Sequence, residues 1–287
     1  MAAYPTAPGS PGFRFGSMVT KAVSTWSLHR SLGSFWADDP VTADRSAATP
    51  SKPASGIELI DLPAQLREHG FDLLQICHFH LPTRDSGYLA ELRAALADAR
   101  IDLDAVLVDD GDLTHPTDAD DHEAWIAGWL EDSVALGARR ARVIAGKSEP
   151  TPERLKSSSE RLARLAREHA DVRVVTENWL ELMPTAADVH AVLDPTEGSV
   201  GHLIDLGNWK GADKYDELTS VAPLAETCHA KCHFDDGEPD ATDFERSLQT
   251  LRAVDYDGPL ALIYDSSGGD EWGSLDREYA IANAVFG

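Results

Sequence analysis

Short apolar runs alternate along the chain with segments of helical periodicity. The runs carry few charges, which is typical of strands buried on both faces of a parallel sheet. Most are followed by apolar residues at helical spacing, as in Leu89, Leu92 and Leu96. The pattern therefore predicts repeated βα units. The predicted strands cover residues 19–28, 71–79, 103–108, 140–145, 172–179, 201–209, 227–233 and 259–265.

Local signals mark where several helices begin and end. Thr151 followed by Pro152 is the favoured arrangement for an N-cap and the first helical position. Ser86 is predicted to cap the helix that carries Leu89, and His69-Gly70 predicts a helix end. The predicted helices cover residues 59–69, 86–96, 122–136 and a segment from 151, then segments near 185–193, 213–221, 243–254 and 276–285.

Repeated βα units of this length imply parallel strands with right-handed crossovers. Eight units fit a closed barrel better than an open sheet, and no glycine-rich dinucleotide turn follows any predicted strand. We therefore predict an α/β fold, a single (β/α)8 TIM barrel over residues 18–287. Residues 1–17 are rich in Pro, Gly and Ala and predict a flexible N-terminal arm, and residues 38–55 predict a long loop.

Composition restricts the partners of this fold. The 287 residues include 25 basic and 49 acidic side chains, for a net charge of −24. Such a surface repels nucleic acid and anionic membranes, and no apolar run is long enough to span a bilayer. Cys77, Cys228 and Cys232 form no disulfide framework, which favours a reducing, cytoplasmic environment. We therefore expect neither a nucleic-acid partner nor a membrane, while a homo-oligomer stays open.

Candidate chemistry lies at the carboxy ends of the later strands. Glu177, Asp205, His229 and Asp265 end or nearly end four successive predicted strands. Because side chains alternate along a strand, all four could face the barrel axis and meet around one point. Carboxylates with one imidazole suit a divalent ion, with Mn²⁺ preferred and Mg²⁺, Co²⁺ or Zn²⁺ as alternatives.

Other polar residues follow strands on the same predicted rim. His78 and His80 end the second predicted strand, and either could bind substrate or move a proton, or could bond the backbone of its loop. Lys147 follows the fourth strand, where it could bind a hydroxyl or carboxylate or remain a solvated loop lysine. Asn178 and Asn208 stand beside the acidic residues of the fifth and sixth strands.

The strand-end motifs resemble those of the xylose isomerase-like TIM-barrel superfamily. The resemblance rests on Glu177-Asn178, on Leu-Ile-Asp-x-Gly-Asn over residues 203–208, and on His-x-Lys over residues 229–231. It implies Glu177, Asp205 and His229 as metal ligands, Lys231 and Glu177 as catalytic residues, and Asn178 as a substrate contact. Asn208 stands where many members have a histidine.

The chain departs from the superfamily pattern on the last strand. Members with a complete metal site usually carry a glutamate that aligns with Ile263 here. Asp265 lies two residues on with the same parity, so it is predicted to serve as a fourth ligand or a catalytic carboxylate. Without it, the site would have three protein ligands and more water.

The resemblance implies a metal-dependent isomerase or epimerase that acts on a sugar or polyol through an enediolate-type intermediate. A lyase or dehydratase on an inosose or an oxidised (3-keto) glycoside is the alternative on the same scaffold. A non-catalytic sugar-binding barrel is a further alternative. An endonuclease, another activity of the superfamily, is disfavoured by the acidic surface.

Overall fold

A computed structural model describes residues 20–32, 56–266 and 269–287. The predicted arm at 1–17 and the predicted loop at 38–55 lie outside the described residues. Within these ranges, no helix is both long and apolar enough to cross a membrane.

Eight parallel strands close into one barrel, in which each strand pairs with its neighbours in the chain and the last pairs with the first. The predicted (β/α)8 TIM barrel is therefore confirmed. The strands are β1 (Lys21–Ser24), β2 (Leu73–Cys77), β3 (Asp102–Val108), β4 (Arg140–Val143), β5 (Arg173–Glu177), β6 (Gly201–Asp205), β7 (Ala225–Cys232) and β8 (Leu260–Tyr264).

Helices surround the barrel and bury the outward-facing strand residues, as the helical spacing predicted. Thr151 accepts a hydrogen bond from the N–H of Arg154 and caps its helix as predicted. The helices are α1 (His29–Leu32), α2 (Leu62–Glu68), α3 (Ser86–Ala99), α4 (Ala119–Leu136), α5 (Pro152–Glu168), α6 (Ala186–Leu193), α7 (Lys214–Val221), α8 (Ala241–Arg252) and α9 (Glu271–Phe286).

Local geometry differs from the predictions at three places. The first strand ends at Ser24 because its hydroxyl accepts from the N–H of Trp26 and begins a 3-10 turn over Thr25–Leu28. Asp85, not Ser86, caps α3, since its carboxylate accepts from the N–H of Gly87. A short hairpin follows β7, and its turn at Asp236 and Gly237 has positive φ at both residues. Asp-Gly is a strong signal for such a turn, which the sequence analysis overlooked.

Glu278 is a buried acid of α9, and no basic group in the described part of the chain forms an ion pair with it. It is 0% exposed, and neither carboxyl oxygen has a hydrogen-bond partner among the described residues. Burial therefore raises the pKa of Glu278 well above its usual value. The unfolded chain ionises this group above about pH 4.5, whereas the folded chain does not, so stability falls as the pH rises.

Glu278→Gln is therefore expected to stabilise the fold. The gain in the free energy of unfolding should be near zero at about pH 4 and should grow at higher pH, by at most about 1.4 kcal/mol per pH unit. Urea denaturation at pH 5 and pH 8 measures the difference. Glu245→Gln, at an exposed position on α8, is the matched control and should show no such trend. A variant with the same stability gain at both pH values would contradict the assignment.

Candidate metal centre

The carboxy ends of β5, β6 and β7 bring three buried side chains together. Glu177, Asp205 and His229 each offer one donor atom, and these atoms lie within 4.8 Å of one another. Side chains alternate along a strand, and each of the three lies an even number of residues from other side chains that face the barrel axis. All three therefore face that axis as well. Within the ranges that the structure describes, this is the one group of three acidic, histidine or cysteine side chains with such spacing.

Backbone N–H groups orient the Asp205 carboxylate. Its Oδ1 accepts from the N–H of Gly207 at 2.7 Å and from that of Asn208 at 2.8 Å. Oδ2 is thereby left to face the centre, 3.5 Å from Nδ1 of His229. Burial opposes ionisation, but Lys231, His229 and the Gly207 N–H hold the pKa of Asp205 below its usual value. The carboxylate is therefore charged at neutral pH.

Asn178 joins β5 to β6 directly beneath the centre. Its side-chain amide donates to the carbonyl of Asp205 at 3.0 Å, and its Oδ1 accepts from the Asp205 N–H at 2.7 Å. Both polar atoms of the side chain are thus used by the backbone of the neighbouring strand. In this conformation Asn178 positions Asp205, although it also lines a cavity at the barrel mouth.

His229 lies between the two carboxylates. Its Nδ1 is 3.3 Å from Oε1 of Glu177, and its Nε2 is 2.9 Å from Oε1 of Gln75. Burial alone lowers the pKa of His229, but Glu177 and Asp205 outweigh it and raise this pKa to about 9. The two carboxylates therefore favour a positive charge at the position of this ring.

Arg142 is a buried cation beside the centre that the sequence analysis missed. Its Nε lies 3.1 Å from Oε2 of Glu177, and its other end is hydrogen-bonded to Asp109. The guanidinium also lies over the ring of Trp179, 5.0 Å from the centroid. Arg142 alternates with the outward-facing Ala141 and Val143 on β4, so its inward parity was a usable signal.

Lys231 and Asp265 form a second charged pair next to the centre. The ammonium of Lys231 lies 3.3 Å from Oδ2 of Asp265 and 3.9 Å from Oδ2 of Asp205. Burial lowers the pKa of Lys231, but Asp205, Asp265 and Glu177 raise it above its usual value. Asp265 also accepts from the indole N–H of Trp26 at 3.1 Å. The structure therefore places Asp265 against Lys231 and Trp26, outside the group of three.

Gly207 leaves the space that Lys231 occupies. A Cβ at Gly207 would come within 2.6 Å of Cδ of Lys231 and 2.8 Å of its Cγ. Asn208 then closes the far side, since its amide donates to Oε1 of Glu177 at 2.9 Å and its oxygen accepts from Lys231 at 3.3 Å. Asn208 thus bridges the candidate metal centre and the lysine.

The three acceptor atoms that converge fit a divalent cation. Two carboxylates and one imidazole are a common donor set for such ions. Nε2 of His229 is engaged by Gln75, so Nδ1 is the ring nitrogen that can bind, and it faces Oε1 of Glu177 and Oδ2 of Asp205. Oε2 of Glu177 accepts no hydrogen bond from the residues that the structure describes. The residues present could therefore hold the ion with three ligands.

Three predicted substrate contacts lie away from this group. His78 is 1% exposed, and its ring packs edge-on against Trp125 and Trp129 of α4. His80 is 0% exposed and bonds the Thr25 hydroxyl at 2.7 Å. Burial lowers the pKa of His80 to about 3. Lys147 is paired with Asp110.

Two cavities open at the mouth of the barrel, and both are lined by neighbours of the three converging side chains. The first, of about 490 Å³, reaches Lys231 and Asp265, and the second, of about 530 Å³, reaches Asn178. Both volumes are of the size that small ligands occupy. The cavities share the wall formed by Asn208, Trp209, Lys210 and Lys214.

A closed (β/α)8 barrel with acidic and imidazole side chains at the carboxy ends of its strands defines the class of fold and site. A sequence model of the xylose isomerase-like TIM barrel family matches residues 63–282, so the chain belongs to that family. Comparison with curated proteins finds no match to this sequence.

Solved structures share this fold at low sequence identity. A xylose isomerase-like TIM barrel protein from Mycobacterium smegmatis, in complex with magnesium, gives a TM-score of 0.67 at 14% identity, over 94% of this chain and 98% of that one. A probable 3-DHS dehydratase from Bacillus anthracis gives 0.66 at 13% identity, over 92% and 98%. A D-psicose 3-epimerase from Clostridium cellulolyticum, solved with D-tagatose, gives 0.61 at 16% identity, over 80% and 91%.

Proposed function

We propose that the protein is a divalent-metal-dependent isomerase or epimerase that acts on a sugar or polyol through an enediolate-type intermediate. The observation that carries the proposal is the convergence of Glu177, Asp205 and His229 within 4.8 Å at the carboxy ends of three adjacent strands. Mn²⁺ is the ion we propose first, because two of the three converging side chains are carboxylates, which suit a hard ion such as Mn²⁺. A bound divalent ion would polarise a substrate carbonyl and stabilise negative charge on the neighbouring oxygen.

The side chains around the centre would donate and accept the protons of the reaction. Lys231 stays protonated because its pKa is raised, so it can donate a proton or a hydrogen bond to a substrate oxygen. Asp265 and Glu177 are the carboxylates that could accept a proton from carbon. Glu177 is engaged by Arg142 and Asn208, whereas Asp265 is more exposed, with 43% of its side chain accessible. We therefore assign the base to Asp265.

Asp265 was also predicted as a fourth metal ligand. To reach the centre, its carboxylate would have to leave Lys231 and Trp26. Asn208 is the substrate contact we propose first, since it lines both cavities and touches Lys231. For Asn178, contact with substrate would require exchange of the two hydrogen bonds that its side chain makes now. His78 and His80 are buried, so their rings would first have to become accessible. Lys147 would have to bind substrate beside or in place of Asp110.

A lyase or dehydratase is the second candidate, and one position favours it. Ile263 is 2% exposed and pairs in register with Lys231, so no carboxylate enters the centre from the middle of β8. Epimerisation by two carboxylates needs one on each face of the reacting carbon. With Ile263 in the middle of β8, that strand position does not provide the second carboxylate. Elimination needs one base and one acid, which Asp265 and Lys231 would provide.

Proton NMR in D₂O with Mn²⁺-reconstituted enzyme, freed of the paramagnetic ion before measurement, separates the two reactions. Ketoses test isomerisation and epimerisation, and an inosose and a 3-keto glycoside test elimination. Exchange of one carbon-bound proton with formation of a stereoisomer or ketose–aldose pair supports the first proposal. An unsaturated or released product supports the second, and tight sugar binding without either change would select a non-catalytic barrel.

Lys231→Met is expected to reduce kcat by about 10²- to 10⁴-fold, because a positioned general acid contributes about that much. The affinity for the metal should stay within a few-fold, since Lys231 is not among the three converging side chains. Steady-state kinetics and calorimetric metal titration measure the two effects. Lys210→Met, a lysine of the same cavity wall, is the control. Unchanged kcat in Lys231→Met would remove the lysine from the mechanism.

A further inference from the structure

A buried polar network crosses the barrel interior below the candidate metal centre. Gln75 on β2 lies at its middle and is 1% exposed. Its side-chain amide donates to Asp104 at 2.8 Å and to the Thr227 hydroxyl at 3.1 Å, and its oxygen lies 2.9 Å from Nε2 of His229. The Thr227 hydroxyl in turn donates to Asp104 at 2.9 Å. Every polar atom of Gln75 therefore has a partner.

Asp104 determines which way the Gln75 amide points. Asp104 is 0% exposed, and its other oxygen is paired with Arg140. A carboxylate accepts hydrogen bonds only, so it must meet the NH₂ side of the amide rather than its oxygen. The Gln75 oxygen is thereby directed to Nε2 of His229. An acceptor at that position requires a proton on Nε2, which leaves Nδ1 for the centre.

Two irregularities in the barrel place this network. The register of β2 with β3 shifts between Leu74 and Gln75, so that Asp104 is an extra residue on β3. The register of β6 with β7 shifts after His202, so that Glu226 is an extra residue just before Thr227. Bulges re-aim neighbouring side chains. Here they accompany the inward orientation of Asp104 and of Thr227, which both accept from the Gln75 amide and are hydrogen-bonded to each other.

We propose that Gln75, oriented by Asp104, is a positioning residue that holds the proton on Nε2 of His229 and so selects Nδ1 as the metal-binding nitrogen. The inference rests on the proposed metal site and deepens it. Outer partners of metal-binding histidines generally fix the ring and its protonation, and their loss costs about 10- to 100-fold in metal affinity. The neutral amide does this without adding charge to a centre that already holds two carboxylates.

Gln75→Met keeps the volume and removes the acceptor. Calorimetric titration with Mn²⁺ is expected to show affinity about 10- to 100-fold weaker than wild type. Thr227→Val is the matched control, because it removes a hydroxyl of the same network but leaves the contact between Gln75 and His229. Its affinity should stay within a few-fold of wild type. Circular dichroism and thermal unfolding of both variants test whether each is folded.

The histidine ring gives a readout that is independent of activity and of affinity. In ¹H–¹⁵N spectra of the protein loaded with diamagnetic Zn²⁺, the wild type and Thr227→Val should show a slowly exchanging Nε2–H on a ring bound through Nδ1. Gln75→Met should lose this protected proton or bind through Nε2. A merely structural role for Gln75 would change stability without changing the coordinating nitrogen.

The outcomes separate the two proposals. Equal Mn²⁺ affinity and the same ring spectrum in Gln75→Met and wild type would overturn the role of Gln75 and leave the metal site intact. Weaker binding together with loss of the protected Nε2–H supports that role. A wild-type protein that binds neither Mn²⁺ nor Zn²⁺ would overturn the proposed metal site, and the inference with it.

Discussion

Glu177→Gln and His229→Ala are each expected to abolish the binding of a divalent ion that the wild type holds at about one per chain. Each change removes one of three converging donor atoms. The loss in affinity should exceed about 100-fold, because removal of an outer partner alone costs about 10- to 100-fold. Mass spectrometry of the purified proteins for Mn, Mg, Co and Zn, before and after incubation with Mn²⁺, measures the metal content. Turnover should disappear with the ion.

Asp240→Asn is the control for this experiment. Asp240 lines the cavity that reaches Lys231 and Asp265 but lies outside the group of three, and asparagine preserves its role as the N-cap of α8. This variant should bind the ion as the wild type does. Asp265→Asn tests whether Asp265 is a fourth ligand. Loss of a ligand would lower metal affinity, whereas loss of a base would lower kcat alone. A metal-free wild type that stays empty in Mn²⁺ would end the proposal of isomerase chemistry.

Arg142→Met is expected to lower the free energy of unfolding by about 3–5 kcal/mol, the usual cost of removing one partner from a buried ion pair. Arg142 is 2% exposed and is paired with Asp109 and Glu177. Methionine has a similar length but donates no hydrogen bond, so both carboxylates lose a buried countercharge. Urea denaturation at pH 7 measures the loss.

The pKa of Asp109 determines how the effect of Arg142→Met should change with pH. Burial raises the pKa of Asp109, but Arg142 and His78 outweigh it and hold this pKa well below its usual range. A depressed pKa stabilises the fold above about pH 4, where the unfolded chain is ionised, and that stability is lost as the pH falls further. The difference between Arg142→Met and wild type should therefore shrink below about pH 4.

Arg139→Met is the matched control for Arg142→Met. Its partner is Asp102, and the two side chains are 44% and 59% exposed. An exposed pair contributes about 0–1 kcal/mol, so this variant should unfold almost as the wild type does. Asp109→Asn with Arg142→Met should cost less than the sum of the single changes, because the two residues share one interaction. Additive losses would show that Arg142 acts mainly through Glu177 or through packing.

The barrel was predictable because its signals are local and repeated. Buried strands and amphipathic helices carry different hydrophobic periods, and those periods identify each βα unit without knowledge of its neighbours. Errors occurred at ends such as Ser24 and Asp85, where one side-chain hydrogen bond decides the boundary. The hairpin after β7 was missed although its Asp-Gly turn is also a local signal.

The group of three side chains was predictable for a related reason. Glu177, Asp205 and His229 end consecutive strands, and a closed parallel barrel brings those ends to one rim. Parity then selects the inward face. Their service as metal ligands stays a prediction.

Contacts across the barrel required the folded structure. Gln75 and His229 are 154 residues apart in the chain. Two bulges shift the strand register near them, so strand parity alone does not predict the network that they form. Parity also left open whether Asp265 enters the centre or pairs with Lys231, and the structure pairs it. The hydrophobic pattern of the chain thus determines the barrel and the rim on which its polar residues meet. Tertiary packing alone decides which buried charges neutralise one another, because those energies depend on distances between strands that are remote in sequence.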